Sequence, residues 1–149
     1  MRKNIIWFTA AIAVMFALGG CGSDTVSIVD DSKEVFYLQS YDDATDRFDG
    51  VANVYYECGD DIVGYTDAQG AFVFYNGEAC TFYDLDDTVS YEHNRLYLSA
   101  TASGSKAVAN VTYRCASGWH GITDAEGRFI FDPDYYSNVS DGDMCKLYL

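Results

Sequence analysis

Positive charge is scarce in this chain. Nine Lys and Arg stand against 23 Asp and Glu, for a net charge of −14. A surface this acidic repels nucleic acid and anionic bilayers, both of which are gripped through Lys and Arg. Histidine is nearly absent. His93 and His120 are the only two, and they form no i, i+4 pair for a zinc site. The Gly-x-Ser-x-Gly elbow, the P-loop and the Gly-x-Gly-x-x-Gly turn are all missing, so the sequence carries no hydrolase-elbow or nucleotide-cradle signature. Pro133 is the only proline, which excludes a Pro-rich linker. Carboxylate pairs abound, but a chain with so many acids has them by composition alone, and they carry no glycosidase signal. Apolar and aromatic residues, by contrast, are plentiful. They make up 49% and 16% of the chain, far too much for a disordered polypeptide.

The one long apolar run lies near the start. Arg2 and Lys3 precede Ile5–Leu18, which is uncharged, and Leu18-Gly19-Gly20-Cys21 follows. A basic start, a short apolar core and small residues at the cut are the parts of a signal peptide. As a helix the run is about 21 Å long, short of the ~30 Å hydrocarbon core that a retained anchor would have to span. The small pair followed by cysteine resembles the lipobox of bacterial lipoproteins. That resemblance implies cleavage after residue 20 and lipidation of Cys21, with stable anchoring once two or more acyl chains are attached. Gly22 stands where, in the enterobacterial sorting pattern this resembles, Asp would retain a lipoprotein at the inner membrane. The expectation is therefore a lipid-anchored protein of the bacterial outer membrane, facing the periplasm or the cell exterior. Loss of residues 1–20 removes two positive charges and takes the net charge to −16. Residues 21–33 read as the lipidated cysteine and a polar tether.

The remainder is written twice. Val51-Ala-Asn-Val-Tyr-Tyr-Glu-Cys58 matches Val108-Ala-Asn-Val-Thr-Tyr-Arg-Cys115, and Gly64-Tyr-Thr-Asp-Ala-Gln-Gly-Ala-Phe-Val-Phe74 matches Gly121-Ile-Thr-Asp-Ala-Glu-Gly-Arg-Phe-Ile-Phe131. The offset is 57 throughout. Upstream, Phe36-Tyr37-Leu38 matches Leu96-Tyr97-Leu98, and downstream Cys80-Thr-Phe-Tyr83 matches Cys145-Lys-Leu-Tyr148. Such self-similarity marks two copies of one supersecondary unit, here residues 34–92 and 93–149. Period-two alternation and enrichment in Val, Tyr, Phe and Thr make the unit β.

The copies also predict which face is buried. Ala52, Val54, Tyr56 and Cys58 agree with Ala109, Val111, Tyr113 and Cys115, whereas Tyr55 becomes Thr112 and Glu57 becomes Arg114. A core face tolerates little change in volume, so the agreeing set points inward, joined by Phe72, Phe74, Phe129 and Phe131. Tyr55, Glu57, Thr112 and Arg114 are expected in solvent, with Glu57 dispensable. The Thr-Asp-Ala-x-Gly-x-Phe segments read as hairpins in which Asp67 and Asp124 open a type I turn and Gly70 and Gly127 take the left-handed position. These segments resemble the small β-sandwich repeats of bacterial surface proteins, including carboxypeptidase-regulatory-like and adhesin-stalk modules. The expected fold is thus all-β: two tandem, disulfide-stapled, antiparallel β-sandwich-like repeats after an N-terminal signal helix.

Five cysteines are present. With Cys21 given to lipid, Cys58, Cys80, Cys115 and Cys145 remain in an oxidising compartment and allow three pairings. Repeat symmetry selects Cys58–Cys80 with Cys115–Cys145. Units of about 55 residues bury little apolar surface and commonly need such staples.

Binding residues are sought among the aromatics. Tyrosine is abundant, with 13 copies, and aromatic side chains suit recognition because they bury large area with few rotors. Tyr135 and Tyr136 lie in a segment inserted only in the second copy, and Trp119 with His120 replaces Ile62-Val63 of the first. These positions would grip a glycan or an envelope protein. Asp132, Asp134, Asp141 and Asp143 lie in or beside the same insertion, and Asp42, Asp43, Asp46 and Asp49 form a second acidic cluster. Neither fits an EF-hand loop. No cofactor is expected, calcium on the first four aspartates being the alternative. The functional expectation is a lipid-anchored envelope protein with a non-catalytic binding or structural role; the alternative is an adhesin-like module acting through the second-copy loop.

Overall fold

The computed structural model describes residues 33–138 and 141–149. The leader, the signal helix, Cys21 and the tether up to residue 32 lie outside the described residues. Eleven strands run in order: β1 (Lys33–Asp42), β2 (Arg47–Gly50), β3 (Tyr55–Cys58), β4 (Ile62–Tyr65), β5 (Ala71–Tyr75), β6 (Ala79–Leu85), β7 (Arg95–Ser99), β8 (Thr112–Cys115), β9 (His120–Ile122), β10 (Arg128–Ile130) and β11 (Asp143–Tyr148). They form two antiparallel sheets. One has the order β10-β7-β1-β2, with β5 also pairing β1; the other has the order β4-β3-β6-β11-β8-β9. The fold is all-β, and disulfides join Cys58 to Cys80 and Cys115 to Cys145.

Each sheet takes strands from both copies, so the two repeats share one core. The registers show how. In the first sheet Leu38 lies opposite Leu98, its own counterpart. In the second, Thr81 lies opposite Lys146, again counterparts. A pseudo-twofold axis through these two pairs relates copy 1 to copy 2. Between the sheets lie Leu38, Phe72, Phe74, Phe82, Leu96, Leu98, Phe129, Phe131 and Leu147, all essentially without solvent contact. Joining the copies this way buries more apolar surface per residue than two separate 55-residue units could.

Tyr56 and Tyr113 are buried, as the parity implies, and each spans the sandwich. The Tyr56 hydroxyl accepts the Val73 N–H at 3.1 Å, and the Tyr113 hydroxyl accepts the Ile130 N–H at 3.4 Å. Ala52 departs from the expectation: it is exposed, and Ala109 is only half-buried. The cause lies one residue on. Asn53 and Asn110 have positive φ, 63° and 66°, which breaks the alternation ahead of β3 and β8. Val51 and Val54 therefore both turn inward, with Ala52 left outside. A buried threonine stitches each kink. Thr66 Oγ1 accepts the Val54 N–H at 3.0 Å and donates to the Val51 carbonyl at 2.6 Å. Thr123 does the same with Val111 and Val108.

The Thr-Asp-Ala-x-Gly segments are tight turns but not hairpins within a sheet. Each carries the chain from one sheet to the other, β4 to β5 and β9 to β10. Asp67 Oδ1 accepts the N–H groups of Gln69 and Ala71, both at 2.9 Å, and Asp124 Oδ1 accepts those of Glu126 and Arg128. Gly70 and Gly127 have φ near +80°. Their carbonyls accept from Leu38 and Leu98. A Cβ on Gly70 would sit 2.0 Å from the Leu38 carbonyl oxygen, so glycine is required here by space as well as by φ.

Candidate functional site

The outer faces of the two sheets differ. Loops cover the first. Gln39 Nε2 donates to the Ala102 carbonyl at 2.7 Å, Tyr91 N–H donates to Ser40 Oγ, and Ser99 Oγ donates to the Lys106 carbonyl. The second sheet carries several exposed side chains, among them Val63, Tyr65, Ile122 and Tyr148. One row crosses all six of its strands in register: Val63, Glu57, Thr81, Lys146, Arg114, His120.

Beside this row, on the copy-1 half, stand three tyrosines. Tyr55 packs against Tyr65 at 5.3 Å between ring centroids and against Tyr83 at 5.4 Å, tilted in both cases. Such tilted pairs are favoured by the ring quadrupoles. Tyr65 is 66% exposed, while Tyr55 and Tyr83 are half-buried. Glu57 holds the inner two. Its Oε2 accepts the Tyr55 hydroxyl and its Oε1 accepts the Tyr83 hydroxyl, both at 2.8 Å. The hydroxyl donors, Tyr83 first and then Tyr55, hold the Glu57 carboxyl below its ordinary value. Burial and the bond to Glu57 push the Tyr83 phenol up to about 12. The acid is ionised and both phenols are neutral at any physiological pH. Tyr55 and Glu57, expected in solvent, are thus half-buried members of a locked cluster.

The tyrosines line a cleft of about 540 Å³, closed on its other side by Asn53, Asp84, Thr88 and Val89. A second hollow of about 400 Å³ shares Ala52, Thr88 and Val89 with it and is lined also by Asp49, Asp87 and Tyr91. Neither hollow has a Lys or Arg in its lining. This arrangement can stack a flat or ring-shaped ligand and accept its hydrogen bonds. The sequence signal for it was the tyrosine content itself. The location was hidden because Tyr55 and Tyr65 come from the paired strands β3 and β4, whereas Tyr83 comes from β6, which only the sheet order sets beside β3.

The residues singled out from the sequence are placed otherwise. Trp119 is 48% exposed and Tyr136 75% exposed; Tyr135 is half-buried. Among the described residues Trp119 makes no ring contact with Tyr135 or Tyr136. The four aspartates do not converge either. Asp143 is fully buried, and its carboxylate is occupied by the N–H groups of Ser117, Asp132 and Met144 and by the Ser117 hydroxyl. It ties the β8–β9 turn to the inserted loop. Asp132 Oδ1 accepts the Asp134 N–H, a local turn. Among the described residues the single group of three metal-capable side chains is Cys115, Asp143 and Cys145, whose two sulfurs are already bonded to each other. In the other acidic cluster Asp42 caps the turn at Ala44 and Thr45, Asp46 takes the Tyr41 hydroxyl, and Asp49 pairs with Arg47.

No protein-family model matches this chain, and no curated protein or solved structure matches it.

Proposed function

We propose that this chain is an exported, lipid-anchored protein of the bacterial cell envelope that works by binding rather than by catalysis. The leader ending in Leu18-Gly19-Gly20-Cys21 supports the anchor, and Gly22 supports outer-membrane sorting. Two buried disulfides suit an oxidising compartment. The observation that carries the binding reading is the cleft walled by Tyr55, Tyr65 and Tyr83, since rigid aromatics in a hollow are how proteins hold ligands without chemistry. A second reading is favoured by the exposure of Trp119 and Tyr136: an adhesin-like contact with glycan or protein through the second-copy loop. Nucleic acid is disfavoured as a partner by the charge. Changing Cys21 to Ser tests the anchor. The variant should leave the membrane fraction or keep its leader, and should fail to incorporate labelled palmitate. Unchanged fractionation and mature mass would overturn the anchor.

A further inference from the structure

We infer that the cleft on the copy-1 half of the second sheet binds a neutral glycan chain, with Tyr55, Tyr65 and Tyr83 as its stacking platform. This rests on the binding role proposed above and names the ligand class.

Three observations point to a glycan. The first is preorganisation. Immobilising a side chain on binding opposes affinity, and here the rings are already held by each other and, for Tyr55 and Tyr83, by Glu57. A pyranose lays its C–H face on such a ring and needs no deep socket. The second is shape. The two hollows lie side by side, sharing Ala52, Thr88 and Val89, and Tyr91 lines the second. That suits a chain of ring-shaped units better than a single compact molecule. The third is charge. Asp84 and Asp87 line the cleft with carboxylates, Asp49 beside them is paired with Arg47, and no Lys or Arg is among the lining residues. Sugar hydroxyls donate to such acceptors, while sulfated or uronate chains would be repelled by them and by a net charge of −14. A peptide is less well served. Strand addition would run along the edge strand β4, whereas Tyr55 and Tyr83 stand behind it on β3 and β6, on the face of the sheet. Apolar peptide anchors need a desolvated pocket, whereas the aliphatic lining of the tyrosine hollow is exposed Ala52, Val54, buried in the core, and half-buried Val89.

The second copy supplies an internal control. At the positions of Tyr55, Tyr65 and Glu57 it has Thr112, Ile122 and Arg114, and Lys146 lies 5.5 Å over the ring of Tyr148. The three-ring platform is absent there.

The test uses the full chain, purified in a detergent without a sugar headgroup, against neutral gluco-, manno- and N-acetylglucosamine oligosaccharides, with uronate and sulfated oligosaccharides as the anionic arm. Neutral chains should be retained and anionic ones not. Tyr65→Ala, at an exposed position, should weaken binding about tenfold with an unchanged near-ultraviolet dichroism spectrum. Tyr55→Phe and Tyr83→Phe keep the rings and should weaken it by no more than about threefold. Ile122→Ala should leave it unchanged. Failure to retain any neutral chain, or retention indifferent to Tyr65→Ala, overturns the inference. Capture of a peptide or protein that depends on Tyr65, with no glycan retained, overturns the glycan class while leaving the binding role standing.

Discussion

The two copies agree inside and disagree outside. Facing the core, Tyr56 and Tyr113, Phe72 and Phe129, and Phe74 and Phe131 occupy equivalent places. Each copy uses the same buried threonine, the same Asx turn and the same cross-strand disulfide. On the outer face of the second sheet the equivalence ends: three tyrosines around a carboxylate on one half, two cations beside a single tyrosine on the other. A pseudo-twofold fold constrains the residues that pack across the axis and leaves the solvent face free to differ. The difference therefore separates what holds this molecule together from what it can offer to a ligand.

Substitution of matched positions can break or sharpen that comparison. The largest effects belong in the core. Phe72→Ala and Phe129→Ala should each destabilise by about 3–5 kcal/mol in chemical denaturation. Phe72 should be the worse of the two. Its ring touches Phe36, Phe74, Phe82 and Tyr56, whereas copy 2 places Leu96 and Leu147 where copy 1 has Phe36 and Phe82. Equal midpoints with no loss in either variant would mean that the shared core does not exist.

Removing either disulfide comes next. The bridged cysteines are 22 and 30 residues apart, and in the chain-entropy description each bridge contributes about 3–4 kcal/mol. Paired Cys→Ala variants, measured by thermal unfolding, should lose similar amounts. Non-reducing peptide mapping that joined Cys58 to Cys115 would show the copies to be arranged differently.

Thr66→Val and Thr123→Val follow. Each keeps the shape and strands one buried N–H and one carbonyl, a loss of about 1–3 kcal/mol. The two values should match within error, because the hydrogen bonds match. A large asymmetry would show that the kinks at Asn53 and Asn110 are not equivalent.

The smallest effects lie on the outer face, and here the copies should part. Arg114→Gln should stay within about 0.5 kcal/mol of wild type. Glu57→Gln should cost stability at neutral pH. The Glu57 carboxyl is held below its ordinary value of 4.5 in the folded state. Its contribution is therefore present above that value and fades as pH falls through the lower, folded one. The gap between Glu57→Gln and wild type should narrow on acidification below about pH 4.5, while that of Arg114→Gln shows no such trend. A Glu57→Gln gap that is constant with pH would remove the carboxylate from the cluster.

Much of this was legible in the chain itself. Period-two alternation and β-rich composition determine an all-β fold, because side chains on a strand must choose a face. The repeat identifies Phe72, Phe129, Tyr56 and Tyr113 as core, since only buried positions resist change in both copies. Symmetry pairs the cysteines, and Asp67 with Gly70 announces a tight turn through local chemistry. What needed tertiary structure is whatever depends on distant segments meeting. The Thr-Asp-Ala-x-Gly turn reads as a hairpin because its local bonds are those of one, but only the packing of two sheets decides that it crosses between them. Ala52 was misplaced because a positive φ at Asn53 costs nothing visible in the alternation pattern. Glu57 looked dispensable because its worth comes from Tyr83, 26 residues away. Asp143 looked like a ligand because its buried donors, at Ser117 and Asp132, belong to two other loops. Local pattern is set by neighbours in sequence, whereas a site is set by neighbours in space, and in this molecule strand pairing and loop packing within each copy bring those neighbours together.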